Sequence, residues 1–162
     1  MTKESIEVLN LGIKSNKVDG VCIKLPDTSS MGVISTKNKF PAIPVIVNKE
    51  KYPYSKIKYF FINSGNANAC TGKIGMKNAK DYITTLSKKL KCESNNILIF
   101  STGIIGEQLP IRRVISSINK CDFKFRSSLI IFTSDFVLLV QRITGTPNLC
   151  SQFIVSFAGV KS

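Results

Sequence analysis

The chain has 162 residues, 43% hydrophobic and 20% charged, with a net charge of +13 from 23 Lys+Arg against 10 Asp+Glu. That apolar share excludes intrinsic disorder and suits one domain with its own core, and no uninterrupted apolar run reaches the about 18 residues of a membrane-spanning helix. Histidine is absent, which excludes Ser-His and Cys-His nucleophile pairs, histidine general bases and zinc sites with His ligands.

The first residues, MTKESIEVLNLGIK, lack the apolar core and small-residue cleavage site of a secretory signal, so the cytoplasm is the expected compartment. DGVCIKL (19–25) and MGVIST (31–36) read as short strands around the turn-prone PDTSS, and PVIV (44–47) suits a short strand near an edge or a strand start. After a polar loop, KYFFIN (58–63) is a near-continuous apolar strand, the pattern expected when both faces are covered. GMKNAKDYITTLSKKL (75–90) carries Met76, Ala79, Tyr82, Ile83, Leu86 and Leu90 at helical spacing, with lysines between. NILIFS (96–101) is the next buried strand, and LPIRRVISSI (109–118) a helix with Pro110 at its first position and Ile111, Val114, Ile115 and Ile118 as its apolar stripe. Strands alternating with helices through small-residue loops define an α/β fold, and ligands commonly bind where such strands end. From about residue 123 the lysine-rich body gives way to an apolar tail, which divides the chain into an α/β domain over 1–122 and a divergent segment over 123–162.

The positive charge suits nucleic acid or an anionic surface. The lysines are spread along the chain, however, and arginine, the better residue for bidentate contacts, occurs only as Arg112, Arg113, Arg126 and Arg142. A solvated basic surface is therefore the favoured reading, with nucleic acid unexpected as a partner. Cys22, Cys70, Cys92, Cys121 and Cys150 form no CxxC pair and read as small buried hydrophobes rather than ligands or disulfides.

Two loops remain to be explained. In STGIIG (101–106), Thr102 and Gly103 leave a buried strand; glycine permits close backbone approach, and amides with a threonine hydroxyl can converge on an oxygen, the hardware of an oxyanion hole. An ordinary strand-to-helix turn has the same punctuation. NSGNANACTG (63–72) is uncharged; its asparagines either hold the loop's shape through backbone bonds or recognise a ligand's polar groups. It lacks the Gly-Lys-Ser/Thr of a phosphate loop, and Cys70 has no histidine to activate it.

NSGNANACTG followed about thirty residues later by STGIIGEQLP, with GIKSNKVDGVCIKL upstream, resembles the glutamate N-acetyltransferase (ornithine acetyltransferase) family of arginine biosynthesis over roughly residues 8–120. The resemblance implies the first-chain domain of that fold. It implies an acetyl transfer from N-acetylornithine to glutamate, with acetyl-CoA as a further donor in some members, through an acetyl-threonine intermediate and with no metal or cofactor. The nucleophile there is the N-terminal threonine of a second chain released by self-cleavage at an Ala-Thr bond, which needs no histidine. Thr102 and Gly103 match the family's oxyanion-hole pair. IIFTSDF (130–136) is similar to a segment whose threonine contacts substrate, which places Thr133 there.

The departures are also specific. Ala42, Ala67, Ala69, Ala79 and Ala158 are each followed by a residue other than threonine, and the glycine-rich segment before the cleavage point is missing. The expectation is a truncated or frame-shifted first chain, inactive alone, whose partners are small-molecule substrates and a second chain that carries the threonine. A basic binding protein and a non-functional remnant are the alternatives.

Overall fold

The computed structural model describes residues 4–15, 17–26 and 31–128. The elements run β1 (Glu4–Leu9), β2 (Gly20–Lys24), α1 (Ile43–Lys49), β3 (Tyr59–Asn66), α2 (Gly72–Leu90), a single 3₁₀ turn (Ser94–Asn96), β4 (Ile97–Ile104), α3 (Ile111–Lys120) and β5 (Arg126–Ser128). They form an α/β fold around a five-stranded sheet of order β4-β3-β2-β1-β5. β1 pairs antiparallel with both β2 and β5, and β2 antiparallel with β3. β3 and β4 are parallel, Tyr59 facing Ile97 through Gly65 facing Gly103. A parallel pair cannot be joined by a tight turn; α2 makes the crossover, so both small-residue loops leave the same end of the sheet.

The alternation of β3 explains its unbroken apolar run. Tyr59 and Phe61, with Cys22, Ile97 and Ile99, meet Ala79, Tyr82, Ile83 and Leu86 of α2 and Val114 and Ile118 of α3. Phe60, with Ile23 and Leu98, faces the opposite way and is covered by Met31, Val33 and Tyr54. Phe123 and Phe125 pack against the first of these clusters, and Phe125 lies 5.8 Å from the Tyr59 ring.

Three local expectations change. PVIV is not a strand: Ile43–Lys49 is a helix with Pro44 in its first turn, where the missing N–H is not needed. As a helix it sends Ile43 and Val47 into the main core, Val45 into a small cluster with Ala42 and Ala69, and Asn48 onto β4. MGVIST forms no strand; Met31 and Val33 pack on the sheet, while Ile34 stays exposed. Pro110 caps α3 instead of opening it, its carbonyl accepting the Val114 N–H at 3.2 Å.

The outer edge of β4 is occupied by side chains of and just after α1. The buried Asn48 amide donates to the Ile99 carbonyl at 2.8 Å and accepts the Ile99 N–H at 3.0 Å, standing in for a neighbouring strand. Lys51 donates to the Ile97 carbonyl beside it. Burial lowers the Lys51 pKa from 10.5 to about 8, against a smaller opposing effect of Glu50. The folded protein therefore holds this proton less tightly than the unfolded chain, and between about pH 8 and 10.5 stability contributed at this site rises with pH. Lys51→Met is expected to be more stable than wild type at pH 7.5 and to lose that rise. Urea midpoints of both proteins at pH 7.5 and pH 10 decide it: parallel pH slopes would remove the account.

Candidate active site

NSGNANACTG spans the end of β3 and the entry to α2, and its three asparagines are all buried. Each spends its side chain inside the protein. Asn63 donates to the Asn66 carbonyl at 2.8 Å and accepts from Ser101 Oγ at 2.6 Å. Asn66 donates to the Glu107 carbonyl at 3.0 Å and accepts the Asn68 N–H at 2.8 Å. Asn68 donates to the Gly75 carbonyl at 3.2 Å and accepts from Thr71 Oγ1 at 2.7 Å. These amides hold the loop's shape, one of the two roles the sequence leaves open.

Further bonds tie this loop to STGIIG. The Ala67 N–H donates to the Ile104 carbonyl, the Gly106 N–H to the Ala69 carbonyl, and Gln108 Nε2 to the Thr71 carbonyl, at 2.9, 2.9 and 3.0 Å. The Tyr82 hydroxyl of α2 is fully buried with no hydrogen-bond partner of good geometry. Burial pushes its pKa up; Ser101 is close enough to temper that shift.

Thr102 and Gly103 stand side by side at the end of β4, Thr102 opposite Ser64 and Gly103 opposite Gly65. Strand alternation puts Thr102 on the face shared with Leu98 and Phe100. Gly103 has φ +134°, and a Cβ there would sit 2.2 Å from the Gly65 carbonyl carbon. The two backbones touch where only glycine fits. Thr133 and Cys150 lie outside the described residues. Cys70, expected inside, is exposed at φ +58° because its loop turns it outward; Cys22 is the buried one, with its thiol pKa pushed up by burial.

Two neighbours do not stand out in the sequence. Asp19, 2% exposed, accepts the N–H groups of Leu11, Ile13 and Lys14 at 2.5, 2.7 and 2.8 Å. The loop thus curled sets Lys14 Nζ on Ser64 Oγ at 2.6 Å. An Asp a few residues after Gly-Ile-Lys, with turn-forming residues between, was the available hint.

A mixed sheet with a helical crossover and two stitched loops at the ends of its parallel strands defines an α/β protein of the ornithine acetyltransferase fold. Ornithine acetyltransferase complexed with ornithine, from Mycobacterium tuberculosis, superimposes with a TM-score of 0.71 at 23% identity over 80% of this chain and 70% of its own. The chain belongs to the ArgJ family, which residues 5–148 match. The crystal structure of the arginine biosynthesis bifunctional protein ArgJ from Bacillus halodurans gives a TM-score of 0.65 at 30% identity over 74% of this chain and 63% of that one. ArgJ 2 of Clostridium acetobutylicum is 43% identical over 110 residues, and ArgJ of Rhodopirellula baltica 35% identical over 136. The chain spans 28% and 32% of the length of these two relatives. The family match continues to residue 148, past the change in composition near 123.

Proposed function

We propose that the chain is the oxyanion-hole part of an acyltransferase of arginine biosynthesis, moving acetyl from N-acetylornithine to glutamate, with acetyl-CoA as a further donor. The observation that carries this is the placement of Thr102 and Gly103. Ile99 turns its N–H and carbonyl to Asn48, away from β3, and the Gly103 N–H belongs to the same strand two dipeptides further on, where the ladder shifts register and the backbone has φ +134°. The Thr102 hydroxyl and that N–H then polarise the acetyl carbonyl and stabilise the oxyanion that forms when a nucleophile adds to it. The loop-to-loop bonds from Ala67 to Ile104 and from Gly106 to Ala69 hold the backbone just after Gly103.

The nucleophile comes from a second chain, a threonine activated by its own α-amine, so the reaction needs neither metal nor cofactor. Chain lengths support this: similar stretches of the present chain cover 63% of the solved Bacillus halodurans chain but 28% of the Clostridium acetobutylicum relative. The solved polypeptide is thus much shorter than the encoded relative. The reading places the protein in the cytoplasm with its soluble substrates; among the described residues no helix is long and apolar enough to cross a membrane.

The isolated chain is expected to release no ornithine from N-acetylornithine and glutamate. Co-expression with the remaining C-terminal part of the Clostridium acetobutylicum relative is expected to restore turnover, which Thr102→Ala lowers by about a hundredfold. Turnover by the isolated chain above its Thr102→Ala variant overturns the two-chain reading. Restored turnover that is indifferent to Thr102→Ala overturns the oxyanion role.

A further inference from the structure

Three lysines line one cavity at the opposite end of α2 from Thr102 and Gly103. Lys58 stands just before β3, Lys88 in the last turn of α2 and Lys91 at its C-cap, around a concavity of about 440 Å³ whose walls also include Cys92 and Glu93. The backbone that presents them is tied down. Lys91 turns left-handed at φ +52°; its N–H donates to the Lys88 carbonyl at 3.4 Å, and the Cys92 N–H to the Ser87 carbonyl at 3.0 Å. Two of the last carbonyls of α2 are thereby capped, which weakens the negative end of the helix there. Asn96 holds the strand entry from the other side: its carbonyl accepts the Lys58 N–H at 2.8 Å, and its side-chain amide donates to the Lys56 carbonyl at 2.7 Å. Glu93 is the one carboxylate on the wall, and the ion pairs among the described residues are Lys77–Asp81 and Lys124–Asp122. None of the three ammonium groups is therefore within ion-pair distance of a carboxylate among the described residues. Lys88 and Lys91 suit a helix C-terminus on their own account. Lys58 belongs to another element and gains nothing from that dipole, so its place beside them adds repulsion that an anion would offset.

We propose that this cavity binds the phosphate group of a small phosphorylated molecule, with Lys58, Lys88 and Lys91 engaging the phosphate oxygens. A tetrahedral dianion offers oxygens in several directions to separate point charges. A planar carboxylate, with two oxygens, suits an arginine fork better, and no arginine lines the cavity. A volume of about 440 Å³ exceeds what one phosphate group fills, and it falls among small-molecule pockets of roughly 300–1,000 Å³, so the rest of the molecule has room. The site needs none of the acyl chemistry at Thr102 and Gly103 and stands without it.

The test is scanning calorimetry of the full chain in inorganic pyrophosphate, with sodium citrate and sodium chloride of equal ionic strength as comparisons. Pyrophosphate is expected to raise the Tm of wild type by about 3 °C over either comparison salt. Lys58→Gln and Lys91→Gln each lose most of that shift. Lys80→Gln, which removes the same charge from the middle of α2, retains it. Each shift is read against the same variant in chloride, so a change in the variant's own stability does not enter. A Lys58→Gln protein that keeps the wild-type shift, or citrate that matches pyrophosphate, overturns the site. A single-stranded oligonucleotide that stabilises wild type more than pyrophosphate does, with an effect lost as salt rises, overturns the small-molecule assignment in favour of a nucleic-acid surface.

Discussion

Gly103→Ala lowers the unfolding free energy by about 4 kcal/mol, where Gly72→Ala, also at a left-handed glycine, lowers it by about 1 kcal/mol. The two positions separate strain from collision. Gly72 has φ +59° with nothing within 4 Å of an added Cβ, so alanine there meets only the intrinsic cost of a left-handed conformation. At Gly103 the added carbon would stand 2.2 Å from the Gly65 carbonyl carbon, 2.5 Å from the Asn66 nitrogen and 2.6 Å from the Gly65 oxygen. All three are backbone atoms of the partner strand, so relief requires β3 and β4 to part where both loops begin. Urea denaturation of the two variants measures the difference. Equal midpoints would show that the strands do not meet there as closely as described.

Asn48→Ala is expected to cost about 3 kcal/mol and to make the chain self-associate as its concentration rises. Its amide satisfies both the N–H and the carbonyl of Ile99 at the outer edge of β4. Alanine would leave two buried backbone groups unmatched, and a strand from another molecule is the natural replacement for a missing neighbour. Denaturation midpoints and light scattering over a concentration series test the two parts. A variant that is monomeric and as stable as wild type would sink the account of Asn48 as the edge's partner.

How far the sequence spoke depended on the range of the deciding contacts. α2 was legible because Ala79, Tyr82, Ile83 and Leu86 repeat at helical spacing and all face one core. β3 and β4 were legible as apolar runs ending in small residues. PVIV was not, since a short apolar run with a proline suits a strand start and a helical first turn alike. What settles it is a bond between Asn48 and Ile99, 51 residues apart. MGVIST has strand composition, but Met31 and Val33 pack beside Phe60 and Leu98 without a ladder, and Ile34 stays exposed. β1 (Glu4–Leu9) alternates with two glutamates and declares itself only through its pairing with β2.

The site divides in the same way. Thr102 and Gly103 follow a strand directly, so their candidacy was local. The three asparagines were visible, but whether they hold the loop or meet a ligand was not, because the partners are carbonyls of Gly75 and Glu107 and the hydroxyl of Ser101. Lys14 looked like one lysine among many until the fold brought it to Ser64, 50 residues on. Cys70 shows the converse: small and uncharged, it sits among buried neighbours, yet its left-handed backbone turns it to solvent.

The cross-links between the loops of β3 and β4 bear on how this protein can be recombined. Donors in one loop find acceptors in the other in both directions: Asn66 to Glu107 and Ala67 to Ile104 one way, Ser101 to Asn63 and Gly106 to Ala69 the other. Neither segment closes all of its own hydrogen bonds. A chimaera that took NSGNANACTG from one family member and STGIIGEQ from another would join two halves that had never been fitted to each other. The smallest interchangeable part of this fold is therefore the pair, with α2 between them, transferred as one cassette.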